Sequence, residues 1–277
     1  MIASCSPGRA IAITFDDAYR SVYRHAFPLL RQYRCTASVF VVTDALDNNA
    51  FVWVNELTWL LNTRGEPARR TAAMLLGASV DSSVALLVER ARALSSRKQL
   101  EDLLEAVTLA AGVRPPSDSS DLYLNWSDAA EMSKAGITFG NHTATHSDLA
   151  RLELLEQHQE IIRAQRSLER HLPADALLSA LAYPFGAHNA STRDAVSMSG
   201  IEVAVGIGGA TEWTAPLQLA RTPVGSSSVA RLFADLEFVE PAKAFLRRIF
   251  VSLRRAPARE QWHSVSAERH VPGAPQV

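Results

Sequence analysis

Ala10-Ile11-Ala12-Ile13-Thr14-Phe15-Asp16-Asp17 drives an apolar, β-prone run directly into two adjacent carboxylates. Downstream, Gly136-Ile137-Thr138-Phe139-Gly140-Asn141-His142-Thr143-Ala144-Thr145-His146 ends a similar run in two histidines four residues apart. Both read as strands that deliver polar side chains at their C-terminal ends. Further β-branched runs lie at 37–42, 178–183, 201–205 and 217–224. Helix-like stretches at 21–33, 127–135, 152–171 and 191–199 fall between several of them. Alternation of this kind predicts an α/β fold with parallel strands and crossover helices. Chemistry in such folds gathers where the strands end.

The ends of the first and third strands carry the chemistry. An Asp with two His offers a divalent metal three protein ligands and leaves room for water and substrate, as in catalytic sites. The second Asp is then free to move protons. Asp16 and Asp17 are consecutive, so in a regular strand they point to opposite faces; both reach one pocket only if the chain is already leaving the sheet. The four-residue spacing of His142 and His146 predicts that they share one side of a helical turn. Taken alone, each pair also fits a plain alternative: an Asp-Asp surface turn, or a helix start with Thr143 and Ser147 as caps. A third element, Ala182-Tyr183-Pro184-Phe185-Gly186, is a rigid turn after a strand, able to aim a backbone N–H into the pocket as an oxyanion donor.

Taken in this order, Thr14-Phe15-Asp16-Asp17, His142-Thr143-Ala144-Thr145-His146 and Tyr183-Pro184-Phe185-Gly186 resemble the polysaccharide deacetylase family, also known as the NodB homology domain or carbohydrate esterase family 4. The resemblance implies a distorted, TIM-like (β/α) barrel of seven strands. It implies Asp16 as catalytic base and Asp17, His142 and His146 as ligands of zinc, or of Co2+, Ni2+ or Mn2+. Many family members carry Gly where this chain has Ala18, and an arginine that steadies the base where this chain has Ala182. The Tyr-Pro-Phe-Gly form, with Leu219-Ala220-Arg221-Thr222-Pro223-Val224 downstream, resembles instead the exopolysaccharide deacetylase branch, in which an arginine enters from a later strand. Arg221 is the candidate for that role, and the Phe185 N–H the candidate oxyanion donor. A Leu-x-His motif supplying a general acid is not found, and His188 reads as an exposed loop histidine.

The implied activity is metal-dependent hydrolysis of an N-acetyl group on a sugar of a polysaccharide or glycan precursor. Alternatives are an O-deacetylase, an amide hydrolase of the same fold on a non-sugar substrate, or a barrel that binds metal or glycan without turnover. The chain has 277 residues, 47% of them hydrophobic, and a formal net charge of -1, which fits a globular enzyme and argues against a nucleic-acid partner. Cys5 and Cys35 are too few for a disulfide scaffold, and Cys35 reads as a buried thiol. No signal-like N-terminus or membrane-spanning run is read, so the chain taken literally is cytoplasmic.

Between the second and third strands, at about 56–121, apolar residues recur at helical spacing and predict a helical insertion beside the barrel mouth. Trp53, Trp59 and Trp126, near its ends, read as core residues or as platforms for sugar rings. The barrel is expected over 1–240. The tail, 241–277, holds an amphipathic basic helix that caps the barrel or rests on a membrane surface or partner, followed by a disordered end.

Overall fold

The computed structural model describes residues 11–48, 50–63, 65–114, 122–208, 215–225 and 228. Cys5 and the expected C-terminal helix lie outside them. Six strands form a single sheet in chain order: β1 (Thr14–Phe15), β2 (Ser38–Val41), β3 (Thr138–Asn141), β4 (Leu177–Ala182), β5 (Val203–Ile207) and β6 (Leu219–Arg221). Every neighbouring pair is parallel. A parallel sheet laid down in chain order, with each crossover of the same hand, curls on itself. Here it makes a half-barrel whose two edge strands approach each other, since Arg221 at the end of β6 bonds Thr14 in β1. Six of the seven strands implied by the resemblance are thus present among the described residues.

Strand alternation sets the two faces. Val39, Val41 and Phe139 point outward into a core with Leu30 of α1 (Phe27–Tyr33), Met132 of α6 (Trp126–Lys134) and Leu168 of α7 (Leu154–His171). Between them, Phe40 and Gly140 point inward. A Cβ on Gly140 would stand 2.6 Å from the Phe40 ring, so glycine is what admits that ring to the barrel interior. The crossover helix α8 (Ala190–Met198) is started by an Asn189–Thr192 capping box.

The predicted helix at 21–33 is interrupted. Residues Val22–Ala26 form a π-turn closed by the Phe27 N–H on the Val22 carbonyl, and α1 follows. Pro28, which has no N–H to give, sits in the first turn of α1, where none is needed. Of the run at 11–15 only Thr14–Phe15 pair as strand, and Ile11 is exposed. As an edge strand, like β6, β1 has one neighbour where the four inner strands have two. Cys35 is exposed rather than buried, because it lies in the turn after the left-handed Arg34 and before β2.

The insertion is helical as expected. It comprises α2 (Trp53–Thr63), α3 (Gly65–Leu75), α4 (Val84–Arg92) and α5 (Arg97–Ala111), with serine caps at Ser83 and Ser96. These helices share a core of their own, built on Leu57, Leu60, Leu61, Leu87, Leu103 and Val107. On its return the chain bridges back to the residues after β1: Leu124 N–H reaches Ala18 O, and Arg20 N–H reaches Leu122 O. No helix among the described residues is long and apolar enough to cross a membrane.

Candidate metal and catalytic site

Thr14 and Asp16 are two residues apart and point to the same face of β1, the barrel interior. Asp17 would point the other way in a strand. Instead Asp17 and Ala18 both take left-handed backbone, with φ of 65° and 57°. Two such residues turn the chain sharply and bring the second carboxylate round to the same mouth. The same geometry accounts for the glycine found in many relatives at the position of Ala18, where a Cβ costs on the order of 1 kcal/mol.

His142 and His146 meet by a different route from the one their spacing predicts. No helical turn joins them; residues 142–148 form a loop after β3. Thr143 and His146 are left-handed, with φ of 67° and 62°. Side chains lock this loop. The Asn141 carboxamide accepts the Thr143 N–H at 2.8 Å and donates to the Ile161 carbonyl of α7 at 2.9 Å. The Thr143 hydroxyl accepts the His146 N–H at 3.0 Å. Glu160, also on α7 and buried, accepts both the N–H and the hydroxyl of Thr145 at 2.9 Å. The two imidazoles end 4.9 Å apart between centroids, nearly perpendicular.

Asp17 Oδ1 lies 3.4 Å from Nε2 of His142 and 3.4 Å from Nε2 of His146. It is buried without a hydrogen-bond partner among the described residues. Burial pushes its carboxyl up, but the two imidazoles and Arg221 outweigh that and hold it below its ordinary value. Burial also opposes charging of His142, yet Asp17, Asp16 and the Ala182 carbonyl raise it. Burial and repulsion from His142 push His146 down to about 4.

The three ligand atoms lie within 4.8 Å of one another. Ligand atoms held at zinc-like bond lengths around a tetrahedral ion stand about 3.3–3.4 Å apart, which is the spacing of the Asp17 contacts. His142 Nδ1 donates to the Ala182 carbonyl at 2.7 Å, which fixes the tautomer and leaves its Nε2 lone pair facing Asp17. The donor set therefore fits a divalent cation.

Asp16 is held separately. Arg221 Nη1 and Nη2 donate to its two oxygens at 2.7 Å each, and Nη1 also reaches the Thr14 hydroxyl at 3.1 Å. The guanidinium lies over the Phe40 ring, 5.5 Å from its centroid. Ala182, the position where many relatives place an arginine, is buried and apolar, and the later strand supplies the cation instead.

The third motif turns at Phe185, whose φ is 58°. Strained backbone in a non-glycine residue costs on the order of 1–3 kcal/mol and persists only where its surroundings hold it. The Phe185 ring is packed against His146, centroids 4.7 Å apart, and Trp53, 5.9 Å apart. At Gly186, with φ of 68°, a Cβ would stand 2.7 Å from the Ile207 nitrogen, so any side chain here must displace β5 backbone. His188 is not the exposed loop residue expected: it is half-buried and stacked on Tyr183, centroids 4.6 Å apart.

The insertion packs beside this mouth, as its departure from the end of β2 predicts. The Trp53 indole N–H donates to the His146 carbonyl at 3.0 Å, and Trp53 is buried, so it supports the histidine loop rather than offering a sugar platform. Trp59 packs in the insertion core, and Trp126 stacks on His171, centroids 4.1 Å apart. Asn141, Glu160 and Asp148 are the supporting residues that sequence reasoning did not single out. Only Asn141, a polar residue inside an apolar strand ending next to His142, carried a local signal.

Comparison with known proteins agrees with this geometry. A search of curated proteins gives no match. Among solved structures, the deacetylase PplD of Streptococcus pyogenes in complex with acetate is 18% identical, with a TM-score of 0.52 over 85% of this chain and 74% of that one. A de-N-acetylase from Aggregatibacter actinomycetemcomitans is 14% identical, with a TM-score of 0.52 over 83% and 76%. IcaB from Ammonifex degensii is 16% identical, with a TM-score of 0.50 over 83% and 73%. At these identities the likeness is one of fold. The profile of the family described as polysaccharide deacetylase matches residues 3–204, from before the Asp pair to beyond the Pro-Phe-Gly turn. With three motifs converging on one mouth and most of the chain matched, this protein belongs to the polysaccharide deacetylase family of carbohydrate esterase and de-N-acetylase hydrolases.

Proposed function

We propose that this chain is a metal-dependent deacetylase that hydrolyses the N-acetyl group of a sugar residue in a polysaccharide or glycan precursor and releases acetate. The observation that carries the reading is a division between two adjacent carboxylates. Asp17 faces two histidines at 3.4 Å, while Asp16 is gripped by a guanidinium fork at 2.7 Å. In this reading Asp17 holds a cation together with His142 and His146, and Asp16 exchanges a proton. A bound cation, zinc in this reading, polarises the acetyl carbonyl and lowers the pKa of water beside it.

This chain's own residues do the rest. Asp16 accepts the proton of the attacking water, its oxygens aimed by Arg221. The Phe185 N–H supports the oxygen on which negative charge develops. Asp16, now protonated, returns its proton to the sugar nitrogen as the C–N bond breaks, so that water and amide become acetate and free amine. The de-N-acetylase and the acetate-bound deacetylase among the structural neighbours support an acetylated glycan as substrate.

The test is acetate release from N-acetylated oligosaccharides by metal-stripped protein, before and after zinc is restored. Release that depends on added metal supports the reading. Full metal binding with no release from any N-acetylated glycan would overturn it in favour of a binding barrel.

A further inference from the structure

The insertion contributes a second residue that touches both halves of the site. Arg92, at the end of α4, places its guanidinium 4.6 Å from the centroid of the Phe185 ring. Its Nε donates at 2.8 Å to Oδ2 of Asp148, a carboxylate whose side chain is 3% exposed and which follows His146 by two residues. Asp148 Oδ1 accepts the Ala150 N–H, so this carboxylate shapes the turn that leads from the histidine loop into α7. A further carboxylate, Glu89, lies 3.6 Å from Arg92 on its own helix. The Phe185 ring in turn packs on His146 and belongs to the same apolar cluster as Leu57, Leu87 and Ala91 of the insertion.

We propose that Arg92 is a positioning residue of this site: it clamps the strained Phe185 turn against the loop that carries His142 and His146. The proposal rests on the deacetylase reading above and extends it to the insertion. A planar guanidinium can lie on an aromatic face and bond a carboxylate at its edge at the same time, which no other side chain does as well. With the cation removed, Phe185 loses one of the contacts that hold its left-handed backbone, and the ring that backs His146 is free to shift. Residues that support metal ligands from outside typically alter metal affinity or activity by about 10–100-fold when replaced.

Arg92→Gln alone leaves Asp148 buried and unpaired, and simple misfolding would follow. The decisive comparison is therefore Asp148→Asn, which removes the carboxylate and keeps the guanidinium over Phe185, against the double variant Arg92→Gln/Asp148→Asn. Co2+ affinity is read from the visible absorption of the bound ion, with thermal midpoints as the control for folding. The double variant should melt near Asp148→Asn yet bind Co2+ about tenfold more weakly, with kcat for acetate release down by a similar factor and KM little changed. Equal Co2+ affinity in the two variants overturns the proposal. Wild-type protein that binds Co2+ but releases no acetate would refute the activity instead, and the affinity comparison would still decide the role of Arg92.

Discussion

Replacing Arg221 with lysine tests the assignment of Asp16 more sharply than replacing Asp16 itself. The fork makes two bonds of 2.7 Å to the two oxygens of one carboxylate, plus one of 3.1 Å to Thr14. A lysine ammonium is a point charge and cannot span both oxygens, so at least one fork bond and the Thr14 bond are lost. A hydrogen bond to a charged group is worth about 1.5–3 kcal/mol. The two side chains are 16% and 27% exposed, so water recovers part of that and the lower end applies. About 1.5 kcal/mol lost from the aim of the base corresponds to roughly tenfold in kcat. Arg221→Met, which removes both bonds, should cost roughly a hundredfold on the same scale. Metal content should stay at the wild-type level in both, because the fork bonds Asp16 and not Asp17. Acetate release at saturating substrate and metal, with elemental analysis of the same samples, measures both quantities. Turnover within about twofold of wild type in Arg221→Met, or metal lost in step with rate, would refute the reasoning.

Asp16→Asn should retain its metal and lose about 10²–10⁴-fold in turnover, since the amide cannot take a proton from water; loss of metal in this variant with retention in Asp17→Asn would reverse the two roles. In metal-free protein His146 is pushed from its ordinary 6.5 to about 4, so the unfolded chain binds more protons than the folded one between those values. Stability should therefore be fully present above about pH 6.5 and fall as pH drops towards 4, by up to about 3 kcal/mol, a loss that thermal midpoints of His146→Gln should not show over the same window. Gly186→Ala adds a Cβ 2.7 Å from the Ile207 nitrogen at a φ of 68°. It should cost about 1–3 kcal/mol in stability by denaturant titration, more than the same change at Gly200, where nothing lies within 4 Å.

The sequence was most legible where side chains repeat with a period, and least where backbone leaves the regular regions. All six described strands overlap the apolar runs, because each gives its outward face to the core while helices cover the sheet. The insertion was visible from helical spacing for the same reason. The histidine pair shows the opposite case. Its spacing suggested a helix, and the two rings do converge, yet they do so through left-handed Thr143 and His146 and through Asn141 and Glu160, which sit on different elements. Asp17 likewise reaches the pocket only because two non-glycine residues adopt positive φ. Strain of this kind leaves no mark on composition or periodicity, since it is held by contacts from distant parts of the chain. Arg221 lies 205 residues from Asp16 and was legible through the resemblance: an alanine where many relatives place the base's partner, and a branch in which an arginine enters from a later strand. Arg92 had no such signal to announce it. Its role depends on Phe185 and Asp148 standing side by side, and that follows from how the insertion folds over the mouth of the barrel.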